Sequence, residues 1–311
     1  MSGRRVILYC GAPARGHAWA RIARETADFE LRVWPDVGEE GDVEYLAAWT
    51  IPAGLIGRLP RLRAVFSIGA GVDQLDLAAI PADLPLVRML EPGIEACIAS
   101  YVAMAVLALH RDLPAYLAQQ RAGIWRPLPV QPPSARWVGL LGLGRLGTAA
   151  AMTLRGLGFP VAGWSRTAKT ISGIACHCGA DGLASLIAVT DILVCLLPLT
   201  VETWGILNAD NFAQLRRGAG LVNAGRGGHL VEADLLDALA SGQISAAVLD
   251  VTATEPLDEA HPFWRHERIL LTPHVGAVTQ TETGMAALLD NIRRHMRGEP
   301  LSGLVNRNRG Y

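Results

Sequence analysis

The sequence predicts an α/β protein made of two doubly wound parallel-sheet domains. Three observations predict it. Short apolar runs alternate with helix-period segments over the first hundred or so residues, and the alternation restarts beyond a proline-rich loop. The 311 residues exceed one typical domain of about 100–200 and suit two. Half of the residues are hydrophobic and only 18% are charged, as expected for parallel sheets buried on both faces.

In chain order, Val6–Cys10, Leu31–Trp34, Tyr45–Trp49, Leu62–Ile68 and Leu84–Met89 read as strands. A long helix follows, from about Ile94 to Ala122, with apolar residues three and four apart. Pro127, Pro129, Pro132 and Pro133 then break the pattern and mark a boundary. Beyond them Trp137–Leu141, Val161–Trp164, Ile192–Leu196, Gly220–Asn223, Ala246–Val251 and Ile269–Thr272 read as the second set of strands. The last helix is expected from Thr279, which stands three residues before Glu282 as a capping box, to about Gly298, with Pro300 just past its end. No short repeat or low-complexity tract interrupts this order.

Composition narrows the function classes. A net charge of −1 gives no reason to expect nucleic acid or an anionic membrane as a partner. The apolar stretch Ala96–Leu109 falls short of the roughly 20 residues that cross a bilayer and reads as a buried helix. Arg4-Arg5 before Val6–Cys10 mimics a signal peptide, but the apolar run is too short for one and a first strand accounts for it. Five scattered cysteines describe no disulfide framework, and Cys176-His177-Cys178 lacks a second ligand cluster at zinc spacing. No metal is expected, and a reducing cytoplasm is the simplest compartment.

The strand Trp137–Leu141 leads into Gly142-Leu143-Gly144-Arg145-Leu146-Gly147, and a helical segment follows. A GxGxxG run is weak evidence alone, but here it stands between strand and helix, where its mechanism needs it. Gly142 allows the tight turn, Gly144 lets backbone approach a pyrophosphate, and Gly147 lets helix pack on strand. This is a Rossmann-type dinucleotide site. The next strand ends in Trp164-Ser165-Arg166-Thr167-Ala168-Lys169, with no acid to hold a ribose 2′-hydroxyl. Ser165, Arg166, Thr167 and Lys169 offer hydroxyls and two cations instead, so NADP(H) is preferred and NAD(H) remains usable. Solvated surface charge is the plain alternative for Arg166 and Lys169.

Three later strands end in polar residues on the sheet edge where such folds bind ligands: Arg226 after Asn223, Asp250 and then Glu255, and His274 after Thr272-Pro273. With Gly69-Ala70-Gly71-Val72-Asp73 in the first half, these motifs resemble the D-2-hydroxyacid dehydrogenases over nearly the whole chain. Trp164-Ser165-Arg166, Trp264-Arg265-His266 and Arg309-Gly310-Tyr311 resemble that family's bacterial glyoxylate/hydroxypyruvate reductase A branch.

The resemblance implies reduction of small 2-keto acids, with Arg226, Glu255 and His274 as the catalytic set. The residue chemistry agrees. Arg226 presents a fork that matches a carboxylate and the adjacent keto oxygen. His274 can give the proton, and Glu255 would orient the imidazole and favour its charged form. By the same resemblance Asp250 contacts the nicotinamide amide and Leu197-Pro198 borders its ribose. Ala70 and Gly71 amides cradle the substrate carboxylate as an anion nest, and Trp49 bounds the substrate pocket. The implied layout is a flavodoxin-like substrate domain, residues 1–97 plus 280–311, interrupted by the cofactor domain, 98–279, in a homodimer paired near Ile94–Ala122. Relatives considered beside this are formate dehydrogenases, which pair their histidine with glutamine, and phosphoglycerate dehydrogenases with an appended regulatory domain. A nucleotide-sensing co-repressor is the alternative from another class.

Overall fold

The computed structural model describes residues 4–307 and 309. Gly310 and Tyr311, which entered the resemblance, lie outside the described residues. The chain divides into two compact units, one holding residues through Ile94 and from Val278 onward, the other Glu95–Ala277.

In the first unit β1 (Arg5–Cys10), α1 (Pro13–Arg24), β2 (Phe29–Val33), β3 (Val43–Ala48), β4 (Ala64–Ser67) and β5 (Leu86–Val87) form a wholly parallel sheet of order β2-β1-β3-β4-β5. That order is the flavodoxin-like doubly wound one. Every residue of β3 and β4 is buried, which explains why Tyr45–Ala48 and Ala64–Phe66 are apolar without alternation, and the buried Glu44 at the head of β3 is paired with Arg5.

α2 (Pro92–His110) begins in the first unit and continues into the second, and α3 (Leu113–Arg121) follows, where the sequence predicts a single helix. Asp112 takes a left-handed conformation (φ 54°) and Pro114 begins the new helix. A proline at that position would collide with the His110 carbonyl of a continuous helix, so the helix stops and restarts. α2 is 19 residues long and, by length and composition only, apolar enough to cross a membrane, yet half of it is buried inside the protein. Its Ile98, Val102, Ala105, Val106 and Leu109 face pack against Val138, Leu140 and Val194 in a core cluster of this unit.

The remaining elements are β6 (Val138–Leu141), α4 (Arg145–Gly156), β7 (Val161–Ser165), β8 (Ala175–Cys178), α5 (Gly179–Val189), β9 (Ile192–Cys195), α6 (Ala209–Gln214), β10 (Ala219–Asn223), α7 (Glu232–Ser241), β11 (Ile244–Leu249) and β12 (Ile269–Leu271). The seven strands run parallel in the order β12-β11-β10-β9-β6-β7-β8. The order reverses at β6 and β9, the switch point that opens a ligand crevice at the strand C-termini. β8 is a strand the sequence reading missed. It holds Cys176-His177-Cys178 at the sheet edge, where four exposed or half-exposed residues of mixed polarity leave no continuous apolar run. Among the described residues no group of three or more metal-ligating side chains converges.

The chain returns to the first unit through α8 (Thr281–Met296). The expected capping box is absent. Thr279 donates its hydroxyl to the Ile68 carbonyl, and no side chain caps the helix from the N-cap residue Gln280. The end is served instead by Glu91, 1% exposed, whose carboxylate accepts from the amides of Gly93 and Gln280. One buried carboxylate thus holds the start of α2 and of α8, where helix N-termini favour negative charge.

Candidate active site

The glycine-rich turn joins β6 to α4. Gly142 has φ +108°, a conformation that side-chain-bearing residues rarely adopt. A Cβ on Gly147 would strike the Gly142 carbonyl oxygen, whereas one on Gly144 would meet nothing. So Gly147 is bare to let helix meet strand, and Gly144 is bare on an open side, where a pyrophosphate can reach backbone N–H groups. Leu143 is fully buried and offers only its backbone, and Leu146 is half-buried. Arg145 is bound to Glu95 of α2 through its Nε at 2.7 Å.

At the end of β7 the Ser165 hydroxyl donates to the Thr167 carbonyl at 2.8 Å, shaping the turn that displays Arg166, Thr167 and Lys169 to solvent. The electrostatic pull of Arg166 reaches Glu202, whose carboxyl is held low first by Thr200. The residues present fit a 2′-phosphorylated dinucleotide: an open glycine turn at a helix N-terminus, followed by a cationic turn that carries no acid.

Three adjacent strands end in the residues that the sequence singles out for chemistry. Arg226 lies just past β10, held by its own backbone: its amide donates to His229 Nδ1 at 3.0 Å, and its carbonyl accepts from Asn223 at 3.0 Å. One guanidinium nitrogen donates to the Gly225 carbonyl at 2.7 Å. Because His229 Nδ1 accepts, Nε2 carries the proton and faces the Pro198 carbonyl at 3.3 Å. This wholly buried histidine ties the Leu197-Pro198 turn to Arg226. Sequence reasoning missed it, since an isolated histidine after Gly227-Gly228 carries no periodic or spacing signal.

Past β12, His274 Nδ1 lies 2.7 Å from a Glu255 carboxylate oxygen. Half-burial pushes the Glu255 carboxyl up, but the His274 hydrogen bond and charge, the Thr252 amide and Arg226 outweigh it, and Glu255 sits below the usual carboxylate range. This contribution is therefore present above the ordinary carboxylate pKa and lost as pH falls through the depressed one.

His274 itself has φ +53°, an uncommon conformation that costs a non-glycine residue about 1 kcal/mol. Asp250, 3% exposed, compensates. Its Oδ1 accepts from the Thr272 hydroxyl (2.6 Å) and the Val275 amide (2.9 Å), its Oδ2 from the Gly276 amide (2.7 Å), and its carbonyl from the His274 amide (2.8 Å). The sequence reading assigned Asp250 to the nicotinamide alone and did not see that it shapes the histidine loop.

In the other unit, the Trp49 indole lies on Gly69: a Cβ there would meet its ring at 2.7 Å. Ser67 accepts from the Gly69 amide and donates to the Gly71 carbonyl at 2.6 Å, fixing the Gly69–Gly71 turn. Among the described residues the Ala70 and Gly71 amides donate to no protein acceptor. The structure thus gathers Arg226, Glu255, His274 and Asp250 on one sheet edge, and Trp49 with Ala70 and Gly71 on another.

Residues 103–276 match the family described as D-isomer specific 2-hydroxyacid dehydrogenase, NAD binding domain. The chain is 39% identical over 287 residues to a glyoxylate/hydroxypyruvate reductase A of Yersinia enterocolitica, covering 90% of this chain and 91% of that one. Among solved structures it is similar to an NADPH-dependent glyoxylate/hydroxypyruvate reductase of Sinorhizobium meliloti in complex with NADP and sulfate (TM-score 0.93, 35% identity, 99% and 100% of the two chains). It is also similar to a D-isomer specific 2-hydroxyacid dehydrogenase of Xanthobacter autotrophicus in complex with NADPH and MES (TM-score 0.92, 36% identity, 99% and 100%).

Proposed function

The chain belongs to the D-isomer specific 2-hydroxyacid dehydrogenases, and from that premise we propose that it reduces glyoxylate and hydroxypyruvate with NADPH, giving glycolate and D-glycerate. The observation that carries this reading is the Glu255–His274 pair, set beside Arg226 on the sheet edge that also bears the glycine turn. Bound NADPH supplies the hydride that reaches C2 of the keto acid. Arg226 grips the carboxylate and keto oxygen and polarises the carbonyl. With Nδ1 committed to Glu255, His274 gives its proton from Nε2 to the keto oxygen, so the carbonyl π bond becomes an O–H and a C–H bond. In this reading the Ala70 and Gly71 amides are further donors to the substrate carboxylate, and Asp250 and Leu197-Pro198 border the nicotinamide end.

Trp49 limits the pocket to short side chains in the same reading, because its indole already lies against the Gly69 turn. Steady-state kcat/KM with NADPH should rank hydroxypyruvate and glyoxylate above pyruvate, and phenylpyruvate last. Trp49→Ala should narrow that gap. A wild-type preference for phenylpyruvate would overturn the small-substrate reading, and an unchanged ranking in Trp49→Ala would remove the indole from the pocket.

For the cofactor, Arg166, Thr167 and Lys169 hold the 2′-phosphate on the turn that Ser165 shapes. Arg166→Ala should lower kcat/KM for NADPH about tenfold or more and spare NADH, as one charge-assisted hydrogen bond implies. Equal losses with both cofactors would refute the assignment.

The unit that carries the catalytic set also exposes Met104, Leu113, Tyr116, Ile124, Val130 and a fully exposed Trp125 within one stretch of chain. Such a run marks an association surface, here the pairing face of a homodimer. Light scattering that returns a monomer mass at micromolar protein would exclude it.

A further inference from the structure

We propose that Tyr101 is a positioning residue for the reaction, acting through Thr272 and Asp250 to hold the His274 loop in its left-handed conformation. The proposal rests on the function given above and adds a residue of α2, outside every motif that points to the site.

The directions of the hydrogen bonds are forced. Asp250 accepts from two backbone amides, Val275 at 2.9 Å and Gly276 at 2.7 Å, and from the Thr272 hydroxyl at 2.6 Å. Thr272 has one proton and gives it to Asp250, so toward Tyr101, 2.6 Å away, its oxygen accepts. Tyr101 is therefore the donor at the head of a chain: Tyr101 to Thr272, Thr272 to Asp250. Burial pushes the Tyr101 phenol up to about 12, so it keeps the proton it must donate.

Packing repeats what the hydrogen bonds do. A Cβ on Gly276 would come 2.8 Å from Asp250 Oδ2 and 3.1 Å from the Tyr101 ring, so the loop is clamped between the two side chains. His274, at φ +53°, sits inside this clamp with its own amide on the Asp250 carbonyl. A strained residue persists only where its surroundings over-determine it. Here the strain falls on the residue whose ring must meet Glu255 at 2.7 Å. Loss of the Tyr101 hydroxyl frees Thr272 to rotate, weakens its bond to Asp250, and loosens the two amides that follow His274.

The test is a double-mutant cycle on the full-length protein, read by hydrogen exchange at the Val275 and Gly276 amides, by kcat with NADPH and hydroxypyruvate, and by NADPH Kd. Tyr101→Phe keeps the packing ring, Thr272→Val keeps the shape, and Thr272→Ser keeps the hydroxyl. Tyr101→Phe should speed exchange and lower kcat, each by about three- to tenfold, the worth of one neutral hydrogen bond. Thr272→Val should cost about tenfold or more, since it loses a bond to a charged group. Thr272→Ser should restore both readouts, and Tyr101→Phe/Thr272→Val should be no worse than Thr272→Val alone. NADPH Kd should stay unchanged throughout. Additive losses in the double variant, or wild-type exchange in Tyr101→Phe, would overturn the proposal. So would a change confined to Tm. Should the wild type fail to reduce keto acids while the exchange pattern appears as expected, the functional reading falls and the loop-holding chain stands.

Discussion

Replacing His274 by Asn should lower kcat for keto-acid reduction by about 10²–10⁴-fold, the usual cost of losing positioned proton transfer. NADPH binding should be untouched, since the glycine turn and the Arg166 turn lie on other strands of the sheet. Asn keeps a polar group beside Glu255 and tolerates φ +53° better than most residues, so the loss reports chemistry rather than a broken loop. The wild-type pH profile carries the same information. Reduction consumes a proton and oxidation of the hydroxy acid releases one, so the two directions should respond to pH with opposite sign. At the acid end the sign follows from Glu255. Its carboxyl is held below the usual range, so the Glu255–His274 pair stays intact well into acid and any acid limb should lie below the ordinary carboxylate pKa. Unchanged kcat in His274→Asn would remove this residue from proton transfer.

The architecture and the strand ends that bear Arg226, Glu255 and His274 were legible in the sequence for physical reasons. Parallel strands buried on both faces write continuous apolar runs, as in Tyr45–Ala48 and Ile192–Cys195, and a phosphate turn needs glycines at fixed spacing. Strand ends fall at predictable places, so the sequence alone puts Arg226 and His274 on one edge. What stayed hidden has no local signature. β8 is an edge strand of mixed polarity, and the break between α2 and α3 depends on one left-handed Asp112. The expected capping box failed because Thr279 had a better partner in the Ile68 carbonyl, 211 residues away. His229 and Asn223 meet the Arg226 backbone, and Tyr101 meets Thr272, through contacts that only the fold creates. On α2, Tyr101 reads as one more core residue of an apolar helix.

Replacing Arg226 by Lys should lower kcat/KM for hydroxypyruvate by about 10²-fold, although the charge is kept. The backbone of Arg226 is fixed by His229 and Asn223, and one guanidinium nitrogen already donates to the Gly225 carbonyl. That tether sets the plane of the fork, so its other donors arrive pre-oriented for a carboxylate and keto oxygen. A lysine ammonium is a point charge on a flexible stem and cannot serve the Gly225 carbonyl and two substrate oxygens in one plane. The lost term is about one charge-assisted hydrogen bond, 1.5–3 kcal/mol, plus the orientation that came with it. The loss should appear in both KM and kcat, because the carboxylate is held in the ground state and the keto oxygen gains charge only in the transition state. Arg226→Gln separates charge from geometry. The Arg226 charge helps to hold the Glu255 carboxyl down, so in Arg226→Gln that carboxyl should rise and the acid limb of kcat/KM should move to higher pH. In Arg226→Lys, where a cation remains, the limb should stay near its wild-type position. An Arg226→Lys enzyme with wild-type kcat/KM would show that charge alone suffices and that the fork has no part in recognition.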